Sequence, residues 1–138
     1  RRRGVEAAIK EAGGKDITLT KFISEFSSES GKEIMSSILE SGQEPDGVIC
    51  ASDFIALGVM SALKEAGKMI PEDVSVAGIG DSWADVITRP QLTSVHLYYK
   101  QCGSVAVDNL LGMVENGGEN KAIQQIMLGY DIIDRESV

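Results

Sequence analysis

The chain alternates short apolar runs with longer stretches in which apolar residues recur every three or four positions. Runs such as 48–51 and 74–79 read as buried strands, while Ile34, Met35, Ile38 and Leu39 make the stripe of an amphipathic helix. Read this way, helices are predicted over about 2–12, 28–40, 53–66 and 99–115, with a short one near 82–87. Strands are predicted over 17–23, 48–51, 74–79, 92–97 and 124–133. Strands alternating with helices of this length imply right-handed βαβ units, hence an α/β chain with a doubly wound parallel sheet. Glycines at 13–14, 42, 67 and 117–118 follow the periodic stretches, where left-handed helix caps are expected. Ser30 and Glu33 match a capping box for the second helix.

Two helices ask for more contacts than a single sheet face provides. Over 53–66, Phe54, Ile55, Ala56, Leu57, Val59, Met60, Ala62 and Leu63 encircle nearly the whole helix. One side is expected on the sheet and the other on a second protein surface, a homodimer being the default by symmetry; simple burial under neighbouring elements is the alternative. The helix over 99–115 carries Val107, Leu110, Leu111 and Val114 at i, i+3, i+4 and i+7, and needs an apolar partner.

At 138 residues and 43% hydrophobic content, the chain is one domain in size with enough apolar mass for a core. Thirteen Lys and Arg against 21 Asp and Glu give a net charge of −8, so this segment is not expected to grip a phosphate backbone. It opens on Arg1-Arg2-Arg3-Gly4 without an initiator Met and reads as a fragment. No run is long enough to span a membrane, and Cys50 and Cys102 stand far apart, as reduced buried thiols rather than a zinc site or disulfide framework. These features suit the cytoplasm.

Catalytic inventory is thin. His96 is the only histidine and lies in an alternating strand, where a hydrogen-bonded structural role is expected. No nucleophile elbow, Walker loop or metalloprotease helix occurs, and Gly78-Ile79-Gly80 fails as a dinucleotide fingerprint because Trp83 stands where its third glycine belongs. No catalytic residue, metal or cofactor is implied. Three strand ends do share one edge: Ser24-Glu25-Phe26-Ser27, Ala51-Ser52-Asp53-Phe54 and Gly80-Asp81-Ser82-Trp83. Carboxylates and hydroxyls there accept sugar hydroxyl protons while an aromatic covers the C–H face, so the rim suits a polyhydroxylated ligand. Serine and aspartate at such positions are also ordinary helix caps.

The block ASDFIALGVMSALKEAGKMIPEDVSVAGIGDS resembles the A-N-D-x-x-A-x-G…G-x-x-x-P-x-D-(I/V)-S-(V/I)-x-G-(F/Y)-D-(D/N) signature of the lactose-repressor (LacI/GalR) regulators. RPQLTSVHLYYKQCG is similar to that family's P-x-L-T-T-(I/V)…G segment. The resemblance covers nearly the whole chain. It implies an effector domain of periplasmic-binding-protein-like (type I) fold, in which 1–95 form the C-terminal lobe. Residues 96–125 would hold a crossover helix of the N-terminal lobe, and 126–138 a returning strand; a helix-turn-helix domain would lie outside this chain.

Carried over position by position, Arg1 would reach the effector's hydroxyls, with Arg2 the alternative register, and Phe26 would stack on the sugar. Ser52 and Asp53 become the polar pair at the helix start, Asp81 an acidic contact and Tyr99 a contact beyond the crossover strand. Phe54, Leu57, Val59, Met60 and Leu63 become the dimer interface. Two departures change the pocket: Ser52 replaces asparagine, and Gly80 stands where many sugar-responsive members have aspartate. Glu25 or Asp81 could replace that acceptor, and Trp83 could stack or belong to the subunit interface. The ending LGYDIIDRESV and the YYK segment resemble regulators of disaccharide operons. The expected function is thus a sugar-sensing, dimeric, cytoplasmic core controlling operator DNA allosterically. The alternatives are a sugar-binding protein of a transport system and, from another class, an enzyme on a flavodoxin-like sheet.

Overall fold

The computed structural model describes residues 1–13, 16–115 and 125–138. Its elements are helix α1 (Arg2–Glu11), helix α2 (Ser28–Glu40), strand β1 (Gly47–Ile49), helix α3 (Asp53–Glu65), strand β2 (Ser75–Ile79), a 3-10 turn (Trp83–Val86), strand β3 (Thr93–Leu97), helix α4 (Tyr99–Glu115) and strand β4 (Tyr130–Ile133). The sheet order is β1-β2-β3-β4, with β1, β2 and β3 parallel. β4 is antiparallel to β3, pairing Val95 with Ile132 and Leu97 with Tyr130. The α/β class stands, with the antiparallel edge strand that such sheets often carry.

α3 packs on β2, and α2 packs on α3. Met35, Ile55, Val59, Met60, Leu63, Val76 and Leu92 form the centre of the core, each such buried side chain contributing about 1.5–3 kcal/mol. The two helices approach closely because they meet at glycines. A Cβ on Gly31 would lie 2.3 Å from the Ile55 carbonyl oxygen, and one on Gly58 only 1.9 Å from that of Ser28. α2 and α3 end as expected, with left-handed Gly42 and Gly67 and closing bonds from Gln43 N–H to the Ile38 carbonyl and Lys68 N–H to that of Leu63.

Several expectations are corrected. Residues 17–23 form no strand: their alternation sets which side chains would share a face, but a strand also needs a neighbouring edge to receive its backbone bonds, and Ile23 is fully exposed instead. The N-cap of α2 is Ser27, whose hydroxyl accepts from Ser30 N–H at 3.1 Å, so Ser30 and Glu33 are not a capping box. A capping box occurs instead at Ser82 and Asp85. Of the cysteines, Cys50 is buried, and burial with the nearby Asp53 charge pushes its thiol up to about 12; Cys102 is exposed on α4. Val59, Met60 and Leu63 are corrected as interface residues, because they fill the core of this chain; only Phe54 and Leu57 of that set reach the surface. The predicted caps at 14, 117 and 118, and residue 124 of the last predicted strand, lie outside the described residues.

α4 buries none of its residues here, and its stripe of Val107, Leu110, Leu111 and Val114 is exposed. Beyond β4 the chain turns back into the core. The Ser137 hydroxyl accepts from Thr93 N–H at 2.8 Å and donates to the Val76 carbonyl at 2.6 Å, tying the tail to both β2 and β3.

Candidate functional site

The carboxyl ends of the parallel strands form the edge where open α/β sheets bind ligands. At the end of β1, the Ser52 hydroxyl caps α3 by accepting from Ile55 N–H at 3.4 Å, and the next residue opens the helix. Arg1 comes to this same corner: its guanidinium donates to the carbonyl oxygen of Ala51, fifty residues along the chain. Tyr99 is an exposed ring at the first position of α4, just past β3, and Phe26 is an exposed ring immediately before the cap of α2.

Asp53 is only 2% exposed, with Oδ1 accepting from the Ser94 hydroxyl at 2.6 Å and Oδ2 from Ser82 N–H at 3.0 Å. Space for it is made by glycines: a Cβ on Gly78 would sit 2.3 Å from Oδ1, and one on Gly80 2.6 Å from Oδ2. Asp53 is thus held as an internal brace, joining the start of α3 to Ser94 of β3 and to Ser82 beyond β2. The glycine at 80 has a structural reason beyond ligand choice, since its φ of +146° and the adjacent carboxylate both disfavour a side chain.

Asp81 is also committed inward. Oδ2 lies 2.9 Å from His96 Nδ1, Oδ1 accepts from Arg135 Nη2 at 2.5 Å, and its N–H donates to Ser94 Oγ at 3.0 Å. Burial would raise this carboxyl, but the hydrogen bonds and charges of Arg135 and His96 outweigh it and hold the group below the usual range. Each carboxylate oxygen of Asp81 thus has one protein partner, and the side chain is part-buried at 20% exposure. His96 has the hydrogen-bonded structural role expected of it. Four residues on, Asp85 is fully buried and accepts from both the amide and hydroxyl of Ser82.

The edge thus brings Arg1 to Ala51, next to Ser52, leaves Phe26 and Tyr99 exposed, and holds Asp53 and Asp81 in hydrogen bonds with neighbouring elements. A separate open, polar concavity of about 470 Å³ is lined by Ser24, Glu25, Ser27, Glu29 and Glu33 among others; it includes none of the six predicted ligand contacts. The residues that sequence reasoning missed are Ser94, Asp85 and Arg135. Ser94 lies in a strand that also carries Thr93 and His96, so little singles it out; Arg135 in IIDRES carries no signal, because its partner is 54 positions away.

Residues 1–138 match the family described as periplasmic binding protein-like domain. The chain is 34% identical over 119 residues to the HTH-type transcriptional repressor PurR of Glaesserella parasuis serovar 5 (strain SH0165), covering 84% of the chain and 34% of that protein. Among solved structures, it resembles the lac repressor dimer bound to operator and the anti-inducer ONPF, with TM-score 0.82 and 26% identity over 99% of this chain and 46% of that one. A LacI family transcriptional regulator from Enterococcus faecium with bound ribose has TM-score 0.81 and 26% identity, over 97% and 49% of the two chains. The chain therefore spans about a third to a half of the length of these relatives.

Proposed function

Because this chain belongs to the periplasmic-binding-protein-like family, within the LacI/GalR group of transcriptional regulators, we propose that it is part of an effector-sensing core that binds a small mono- or disaccharide. The observation that carries this reading is the Arg1 guanidinium on the Ala51 carbonyl, which sets a cationic donor beside Ser52 at the ligand-binding edge. Phe26 stacks on the sugar ring, Ser52 and Tyr99 supply hydroxyls, and Asp53 and Asp81 act from behind by holding the rim. The bound ribose of the E. faecium relative supports a carbohydrate ligand.

On this reading residues 1–95 are the main part of one lobe, 96–125 carry a helix belonging to the other, and 126–138 return. The exposed apolar stripe of α4 supports that division. Phe54 and Leu57 contribute to a homodimer surface. Ligand between the lobes shifts the population of closed dimers, and operator DNA, bound through a domain beyond this chain, responds in the cytoplasm.

A thermal-shift screen of the full-length protein against mono-, di- and phosphorylated sugars tests the ligand class, since a ligand at about 100 times its Kd adds ~2.7 kcal/mol. For the sugar found, Phe26→Ala is expected to weaken binding more than about tenfold, ~1.4 kcal/mol, without loss of dimers. A screen with no stabilising sugar overturns the carbohydrate reading; calorimetry giving equal affinities removes the stacking role.

A further inference from the structure

The loop from Gly80 to Val86 forms much of the rim, and one side chain from the far end of the sequence holds it. Arg135 is 12% exposed and follows β4, where the chain turns back under the sheet. Its Nη2 donates to Asp81 Oδ1, its Nη1 donates to the Leu92 carbonyl at 2.7 Å, and the same Nη1 lies 3.8 Å from Asp85 Oδ2. Its backbone N–H is fixed as well, donating to Thr93 Oγ1 at 2.9 Å. Asp81 and Asp85 bracket Ser82, Trp83 and Ala84, so one guanidinium meets both ends of the loop.

The loop needs such a restraint. Asp81 has φ +52°, a left-handed conformation that costs a residue with a side chain about 1 kcal/mol or more unless its surroundings impose it. Asp85 is buried and also feels the charge of Asp53, and the Arg135 cation beside it opposes both effects. Arginine can serve both carboxylates and a carbonyl because its donors diverge from one planar group, whereas a lysine ammonium is a single point on a flexible stem. The part of the loop left outside the clamp is Trp83, whose side chain is displayed at 73% exposure.

We propose that Arg135 is a positioning residue for the effector site, fixing the Gly80–Val86 loop and presenting Trp83 to the ligand by binding Asp81 and Asp85 together. What the loop meets rests on the carbohydrate reading above; the clamp itself does not. Trp83 is the one tryptophan in this sequence and so reports on the loop directly.

The experiment uses the full-length protein, with Trp83→Phe supplying the background from any other tryptophan. Fluorescence anisotropy and acrylamide quenching of Trp83 are compared in wild type, Arg135→Lys, Arg135→Met and Asp81→Asn, with Met35→Ala as a variant that destabilises the core far from the loop. Arg135→Met is expected to lower anisotropy and increase quenching, Arg135→Lys to fall between, Asp81→Asn to follow Arg135→Met, and Met35→Ala to lose thermal stability without either change. Ribose, lactose, sucrose and trehalose serve as ligand probes, and any that wild type binds should bind Arg135→Met at least about tenfold more weakly. A folded Arg135→Met with the wild-type Trp83 signal overturns the clamp; if that variant does not fold, an unchanged signal in Asp81→Asn does so. A loosened Trp83 with unchanged affinity overturns the positioning role. If no probe binds wild type, the carbohydrate reading fails while the Trp83 comparison still decides the clamp.

Discussion

Asp81 and Asp85 are the same side chain four positions apart, yet their surroundings drive them in opposite directions. Burial raises the carboxyl of Asp85 to about 6, helped by the charge of Asp53 and opposed by hydrogen bonds from Ser82 and the charge of Arg135. The folded chain therefore keeps a proton between the ordinary value of 3.8 and about 6 that the unfolded chain releases, so stability falls as pH rises through that window. Asp81, held low, has the other sign: its contribution is present above the ordinary carboxylate value and is lost as pH falls below it. Thermal midpoints measured across pH 4–7 are expected to decline for wild type, and Asp85→Asn should remove most of that decline, on the order of 2 kcal/mol. Parallel profiles for the two proteins would refute the assignment. At this scale the sequence was legible where the chemistry is local, as with the Ser52 cap. It did not reveal the brace at Asp53, because a capping, a ligand-binding and a bracing aspartate look alike there, and the glycines that make room for the brace come a strand later.

The pair α2 and α3 shows what an element needs from its neighbour. Their lengths were readable from period and from the glycines that stop them, but their separation is set by Gly31 and Gly58, which no amphipathic pattern singles out. Gly58→Ala places a methyl group 1.9 Å from the Ser28 carbonyl and 2.7 Å from the Lys32 nitrogen, and both are backbone atoms that cannot rotate aside. The helices must move apart, with an expected cost of about 1–3 kcal/mol or more, read as a lower denaturant midpoint. An unchanged midpoint would mean that the two helices are not in this contact. The failures among the strands have the same origin. Whether residues 17–23 join a sheet, and which way β4 runs, depend on edges supplied by distant segments, and alternation along one strand contains no information about them.

Among the described residues, apolar surface includes the stripe of α4 and the outer side of α3 with Phe54 and Leu57. Beside the latter is a groove of about 410 Å³ lined by Leu57, Met60, Ile70 and Pro90 and edged by Lys64, Lys68 and Arg89. If α3 forms the subunit contact, Leu57→Arg adds a fourth cation to this surface and should yield monomers in sedimentation, since an uncompensated charge there would be buried. A dimer that persists returns α3 to a purely internal role. The class of fold was legible at this scale, because βαβ alternation and two family-like blocks run through most of the chain; which faces of α3 remain free was not, since that is decided by how α2 covers it.

The tail also sets a schedule. Val76 and Ser137 are joined by a buried hydrogen bond across a separation of 61 residues. At a synthesis rate of ~5–20 residues per second, that interval lasts about 3–12 s. During that interval β3 is made and can pair with β2 directly, but the Ser137 bonds to Val76 and Thr93, and the Arg135 contacts with the 80–86 loop, are still missing. These long-range ties are therefore the last of the sheet's contacts to become available as this segment is synthesised.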